Sequence, residues 1–255
     1  MTPKSDKNVR LPPRPTPGSD GIVIELSPKL AHIGSNGFAL FLTPARYTGD
    51  TPDIIRSYAL GMTPINSLCV YCGSSRGNNP AFLKLATELG AAMAARDTRL
   101  IYGGGRVGLM GACADAVMAG GGQVIGIIPQ HLQDREVGHT GLTELKVVDN
   151  MHTRKRMMFD LSDAFCVLPG GLGTLEEFFE VVTWRQLGIH DKPIILLNAE
   201  GYWDRLIGMM DGIIADGFAQ PSARQFYSVA NSVGRLFDML AAPADTQEPD
   251  HPERL

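Results

Sequence analysis

Two glycine-rich stretches hold the residue types from which chemistry could be built: Gly103-Gly-Gly-Arg-Val-Gly108-Leu-Met-Gly111 and Pro169-Gly-Gly-Leu-Gly-Thr-Leu-Glu-Glu177. Each follows an apolar run with the character of a strand and opens a helix-like segment. At such a junction the unpaired backbone N–H groups and the positive end of the helix dipole collect an anion. In the second stretch Gly170, Gly171 and Gly173 let the backbone approach a ligand with no Cβ in the way, and Thr174 is expected to start the helix. Thr174-x-x-Glu177 also reads as a capping box. A threonine hydroxyl that accepts from the Glu177 amide still has its own proton to donate to a phosphate oxygen. The chain contains no GxxxxGK[ST], so the indicated chemistry is capture of one phosphate and not of a triphosphate.

The first stretch also satisfies GxGxxG through Gly103, Gly105 and Gly108, the fingerprint of a dinucleotide site. That fingerprint needs a carboxylate about twenty residues further on, at the end of the next strand, to hold the ribose hydroxyls. Here the next strand reads Gln123-Val-Ile-Gly-Ile-Ile-Pro129 and carries none, which argues against a nicotinamide or flavin cofactor. Cys69 and Cys72 form a CxxC, but within a strand a spacing of three sends the two side chains to opposite faces. Cys113 and Cys166 lie singly in apolar segments, and all four read as core thiols in a reducing compartment. The histidines show no i,i+4 pair, so His152 and His190 read as hydrogen-bonding or surface residues, and neither a metal nor a cofactor is expected.

Positioning these loops requires a scaffold, and the pattern from Leu68 onward supplies one. Strands are predicted at 68–72, 99–102, 123–128, 144–148, 164–168, 194–197 and 226–230, with helices at 80–96, 108–119, 151–162, 174–187, 202–215 and 231–240. Apolar strands without clean alternation, each followed by a helix, predict an α/β fold: a doubly wound, Rossmann-like parallel sheet in three layers. Ligands then sit beyond the carboxyl ends of the strands. Eight of the 17 prolines fall in residues 1–61, which reads as a proline-rich extension, disordered and dispensable, with Met62 as an alternative start. Residues 62–241 form the expected single domain and 242–255 a flexible tail.

Composition narrows the partners. A net charge of −4 gives no electrostatic reason to bind nucleic acid or an anionic membrane, and no apolar run is long enough to span a bilayer. A cytoplasmic protein with a small anionic ligand is expected.

Taken together, the two glycine stretches resemble the LONELY GUY (LOG) family, cytokinin riboside 5′-monophosphate phosphoribohydrolases that are often mislabelled lysine decarboxylases. The resemblance runs from about Leu68 to Leu240. It also covers Val70-Tyr-Cys-Gly-Ser-Ser75, Asp134-Arg-Glu136, Met151-His-x-Arg-Lys155 and Thr183-Trp-x-Gln-Leu-Gly-Ile-His-Asp-Lys-Pro193. It implies hydrolysis of the N-glycosidic bond of a nucleoside 5′-monophosphate, AMP or an N6-modified form, to free base and ribose 5-phosphate. It implies Glu136 and Arg154 as the catalytic pair, Glu177 beside them, and Glu176 near the sugar and phosphate. Substrate contacts are further implied at Ser74, Ser75, Gly104, Gly105, Met151, Lys155, Gly170, Gly171, Gly173, Thr174 and Thr183, within a homodimer. Two other readings stay open: a non-catalytic carrier of a nucleotide-bearing ligand such as molybdenum cofactor, and a pyridoxal-phosphate decarboxylase, for which Lys155 alone lies near a motif.

Overall fold

The structure, a computed structural model, describes residues 65–133 and 138–242. The expectations for residues 1–61, for Glu136 and for 243–255 lie outside the described residues. Within them the chain runs β1 (Ser67–Tyr71), α1 (Pro80–Ala94), β2 (Arg99–Tyr102), α2 (Gly108–Ala119), β3 (Val124–Pro129), α3 (Gln130–Gln133), β4 (Glu144–Val148), α4 (Met151–Asp160), β5 (Ala164–Val167), α5 (Leu172–Gln186), β6 (Ile194–Leu197), α6 (Asp204–Ala215), β7 (Ser228–Ala230) and α7 (Val233–Leu240). The seven strands form one all-parallel sheet in the order β4-β3-β2-β1-β5-β6-β7. The doubly wound three-layer α/β fold read from the sequence is therefore the fold observed.

Side-chain alternation in β1 assigns the two faces. Leu68, Val70 and Cys72 join Leu85, Leu89, Met93, Leu109, Val117, Leu236 and Phe237, so α1, α2 and α7 cover one side. Cys69 and Tyr71 join Met158, Phe159, Phe178, Val181, Trp203 and Met210, so α4, α5 and α6 cover the other. Cys69 and Cys72 accordingly face opposite layers, as their spacing requires, and all four cysteines are buried and unpaired. Burial pushes the Cys113 thiol up to about 12 and raises the other three as well, which makes them core side chains and not nucleophiles.

Two local readings are corrected. The four-residue helix α3 follows β3 directly, where the sequence pattern predicts no helix. More consequentially, α5 starts at Leu172 with Gly171 as its N-cap, and no side chain caps it. Thr174 is thus the third residue of the helix, and the Thr174/Glu177 capping box does not form. The reason is conformational: Gly171 adopts the extended N-cap geometry, φ −100° and ψ −151°, three residues before the threonine could.

Candidate functional site

The sheet order reverses at β1, where the chain first winds outward to β4 and then outward the other way through β5 to β7. At such a switch point the loops on neighbouring strands diverge and leave a crevice at the carboxyl ends. Three loops line this one, and hydrogen bonds lace them together. Gly73 N–H, after β1, donates to Pro169 O after β5 at 3.0 Å, and Leu109 N–H at the start of α2 donates to Gly73 O at 3.0 Å.

Glycine is required at the contacts between these loops. A Cβ on Gly108, whose φ is +61°, would lie 2.3 Å from the Ser74 carbonyl carbon. Gly108→Ala is therefore expected to lower stability by about 2–4 kcal/mol, combining left-handed strain with overlap against fixed backbone. The check is a drop in the urea midpoint at unchanged slope. A Cβ on Gly170 would lie 2.1 Å from Thr174 Oγ1 and 2.8 Å from Gly73 N. Thr174 is buried directly beneath that loop.

Gly171 and Gly173 are different. Neither has a positive φ, and a Cβ on either would meet nothing within 4 Å. The fold gives no reason for glycine at the second position of a helix, where it costs about 1 kcal/mol relative to alanine. A ligand brought close to the backbone does. Among the described residues, the N–H groups from Gly171 to Thr174 find no acceptor, so this helix start can take up an anion.

Arg154 and Lys155, on α4, are both buried. Asn150 caps that helix by accepting from Thr153 N–H at 2.9 Å. Arg154 Nη2 donates to Gly103 O at 3.1 Å and Nη1 reaches Met151 Sδ at 3.7 Å. Gly103 makes room for this group, since a Cβ there would fall 1.9 Å from Nη2. Glu177 is half-buried on α5, and its charge raises the Cys69 thiol while Arg154 lowers it, both less strongly than burial raises it.

Lys155 is engaged: its ammonium hydrogen-bonds Glu176, and Glu180 at 2.9 Å. Burial works against its charge, but these two carboxylates outweigh that and hold its pKa above the usual lysine value. It is a fixed cation that neutralises the acidic face of α5, the opposite of the free amine a Schiff base needs.

Ser74 and Ser75 are exposed in the loop after β1, with Ser75 Oγ accepting from Gly77 N–H at 3.3 Å. Gly104 has φ +77°, and its carbonyl accepts from His139 N–H at 3.0 Å, while Gly105 bridges Gly138. His139, a residue the sequence reading left unassigned, is buried. Its Nδ1 accepts from Gly141 N–H at 3.1 Å and its Nε2 meets Asp115 Oδ1 at 2.8 Å. Thr183 is exposed nine positions beyond Thr174, which at 1.5 Å per residue is about 13 Å along the helix, and the chain does not bring it to the phosphate loop. A cleft of about 660 Å³ opens between α1 and α2 next to Gly108, lined also by Arg76, Thr87, Arg106 and Asp115. Among the described residues no group of three or more His, Cys, Asp or Glu is placed to hold a metal ion.

Comparison with known proteins accords with this geometry. A family model described as "Possible lysine decarboxylase" matches residues 110–240. The chain is 49% identical over 173 residues to cytokinin riboside 5′-monophosphate phosphoribohydrolase LOG1 of Arabidopsis thaliana, covering 68% of this chain and 81% of that protein. It is 43% identical over 194 residues to LOG3 of the same plant, covering 76% and 90%. Among solved structures, the molybdenum cofactor binding protein of Rippkaea orientalis superposes with a TM-score of 0.53 at 21% identity, covering 69% of this chain and 96% of that one. The Moco carrier protein of Chlamydomonas reinhardtii gives 0.53 at 19% identity, covering 69% and 96%. These two share the fold; the sequence identity lies with the phosphoribohydrolases, and the chain belongs to the LONELY GUY (LOG) family.

Proposed function

We propose that the protein hydrolyses the N-glycosidic bond of adenosine 5′-monophosphates, plain or N6-modified, to free base and ribose 5-phosphate. The observation that carries this is the start of α5, which no side chain caps and where Gly173 has no packing reason to be glycine, at a switch point beside which Arg154 reaches the Gly103 carbonyl. The phosphate docks on the N–H groups of residues 171–174. Water then attacks the anomeric carbon as the bond to the base breaks, and the bonding pair leaves with the base, which takes up a proton. The positive charge that develops on the sugar is stabilised by carboxylates, the role we assign to Glu136 and Glu177, with one of them orienting the water. Arg154 remains charged throughout and braces the departing base or the phosphate. Incubation with AMP should release free adenine and ribose 5-phosphate in equal amounts; AMP bound but never cleaved would instead make the protein a carrier.

The proposed assembly is a homodimer in the cytoplasm. The four unpaired thiols fit a reducing compartment, and no helix among the described residues is long and apolar enough to cross a membrane. Leu172 is 86% exposed at the start of α5 and Phe218 is 88% exposed beyond α6, with Leu187 and Ile189 exposed after α5. These exposed apolar side chains at the two ends of α5 and beyond α6 offer surface that a second subunit would cover. Light scattering at micromolar concentration should give twice the chain mass, and the mass of one chain would overturn the dimer.

A further inference from the structure

The loop entering α5 presents three successive carbonyls, and each is held by a different part of the molecule. Pro169 O accepts from Gly73 N–H at 3.0 Å, and Gly171 O accepts from Leu175 N–H at 3.0 Å. The one between them, Gly170 O, accepts from the phenolic hydroxyl of Tyr202 at 2.6 Å. The first two bonds come from backbone and are fixed by the fold. The third comes from a side chain 32 residues further along the chain, outside the motifs quoted for the loop.

That hydroxyl controls an orientation. In a trans peptide the C=O and N–H point in opposite directions, so a bond that holds Gly170 O also aims Gly171 N–H away from Tyr202. With glycine on both sides of this peptide, the backbone itself sets no strong preference between the two orientations. Gly171 N–H has no acceptor among the described residues and sits next to the open N–H groups of α5. The phenol is itself firmly placed. Its ring packs edge-on against Phe82 at 5.1 Å and Trp203 at 4.7 Å. Trp203 is anchored in turn, with its N–H on Asn198 Oδ1 at 2.6 Å and its indole N–H on Val167 O, the last residue of β5, at 3.2 Å.

We infer that Tyr202 is a positioning residue for the anion site: its hydroxyl locks the Gly170–Gly171 peptide in the orientation that adds the Gly171 N–H to the phosphate-binding donors. The inference rests on the phosphate reading of this loop and extends it to a residue outside the loop. Tyr202→Phe removes the hydroxyl and keeps both ring contacts, so the fold is expected to persist. Removing one neutral hydrogen bond should weaken ribose 5-phosphate binding about threefold to tenfold. KM for AMP should rise by a similar factor, with kcat within about twofold, because only one of several donors is loosened and the phosphate stays anchored through the reaction. Adenosine, which lacks the phosphate, should bind the variant and the natural protein alike. In amide NMR the Gly171 resonance should move on ribose 5-phosphate addition in the natural protein and move less in the variant.

Equal ribose 5-phosphate affinity in the two proteins would overturn the role of Tyr202 and leave the phosphate reading standing. Equal losses for adenosine and ribose 5-phosphate would also overturn it, by showing a general loosening of the crevice. A natural protein that fails to bind ribose 5-phosphate at all would overturn the phosphate reading and this inference with it.

Discussion

Arg154→Ala should lower kcat/KM for AMP at least about 100-fold, the usual scale for removing a positioned charge from a site that develops charge in the transition state. The side chain is buried, which is unusual for arginine, and its guanidinium is fastened to Gly103 O at 3.1 Å. The stability cost of its loss should be about 1–3 kcal/mol, since Gly103 O gives up its donor, and a domain of this size tolerates that. The structure supplies a second variant that separates the two effects. Gly103→Ala retains the arginine but puts a Cβ where Nη2 now sits, 1.9 Å away, and so displaces the guanidinium. Gly103→Ala should therefore reproduce the kinetic loss of Arg154→Ala with the charge still in the chain. Glu136→Gln should cause a loss of similar size. Near-normal turnover in both Arg154→Ala and Gly103→Ala, with cooperative unfolding retained, would remove this arginine from the mechanism.

The scaffold was legible because its signals are local and repeated. The central strands are apolar runs such as Ile194–Leu197, with all four residues buried, and the strands other than β3, which the four-residue α3 follows, are each succeeded by a helix of eight residues or more. The glycine loops were legible for the same reason: they sit at strand ends, and the rule for ligand position in an open sheet depends on topology alone. The start of α5 was misread because a capping box is a pattern of side chains, whereas the actual cap is the backbone conformation of Gly171, which no side chain advertises. Lys155 looked like an anion ligand beside Arg154. On a helix, adjacent residues project about 100° apart, so the neighbour turns toward α5 and meets Glu176 and Glu180 while Arg154 turns toward Gly103. The same pair of bonds accounts for an acidic helix face next to an anion site. Tyr202 and His139 were invisible because each acts through a backbone carbonyl far away in sequence, and such contacts leave no spacing to read.

AMP should be cleaved with kcat/KM at least about ten to a hundred times that for adenosine, because in the proposed mechanism the 5′-phosphate is the handle that places the glycosidic bond. Gly171 and Gly173 leave the start of α5 open, and its N–H groups are aligned with the helix dipole. One or two charge-assisted hydrogen bonds there contribute about 1.5–3 kcal/mol each, enough for that factor on its own. Part of this binding energy is used to orient the sugar during bond cleavage, so the nucleoside should lose kcat as well as affinity. ADP and ATP should be poor substrates. The site has no lysine-bearing phosphate loop to receive the added charge, and the nearest buried ammonium, on Lys155, is already committed to Glu176 and Glu180. N6-isopentenyl-AMP should be cleaved, since the anchor is at the opposite end of the nucleotide from the modification. A single assay of adenosine, AMP, ADP, ATP and N6-isopentenyl-AMP tests the whole argument. Equal rates on adenosine and AMP would show that the glycines of this loop serve only the packing of Gly170 over Thr174 and that the open helix start binds no phosphate.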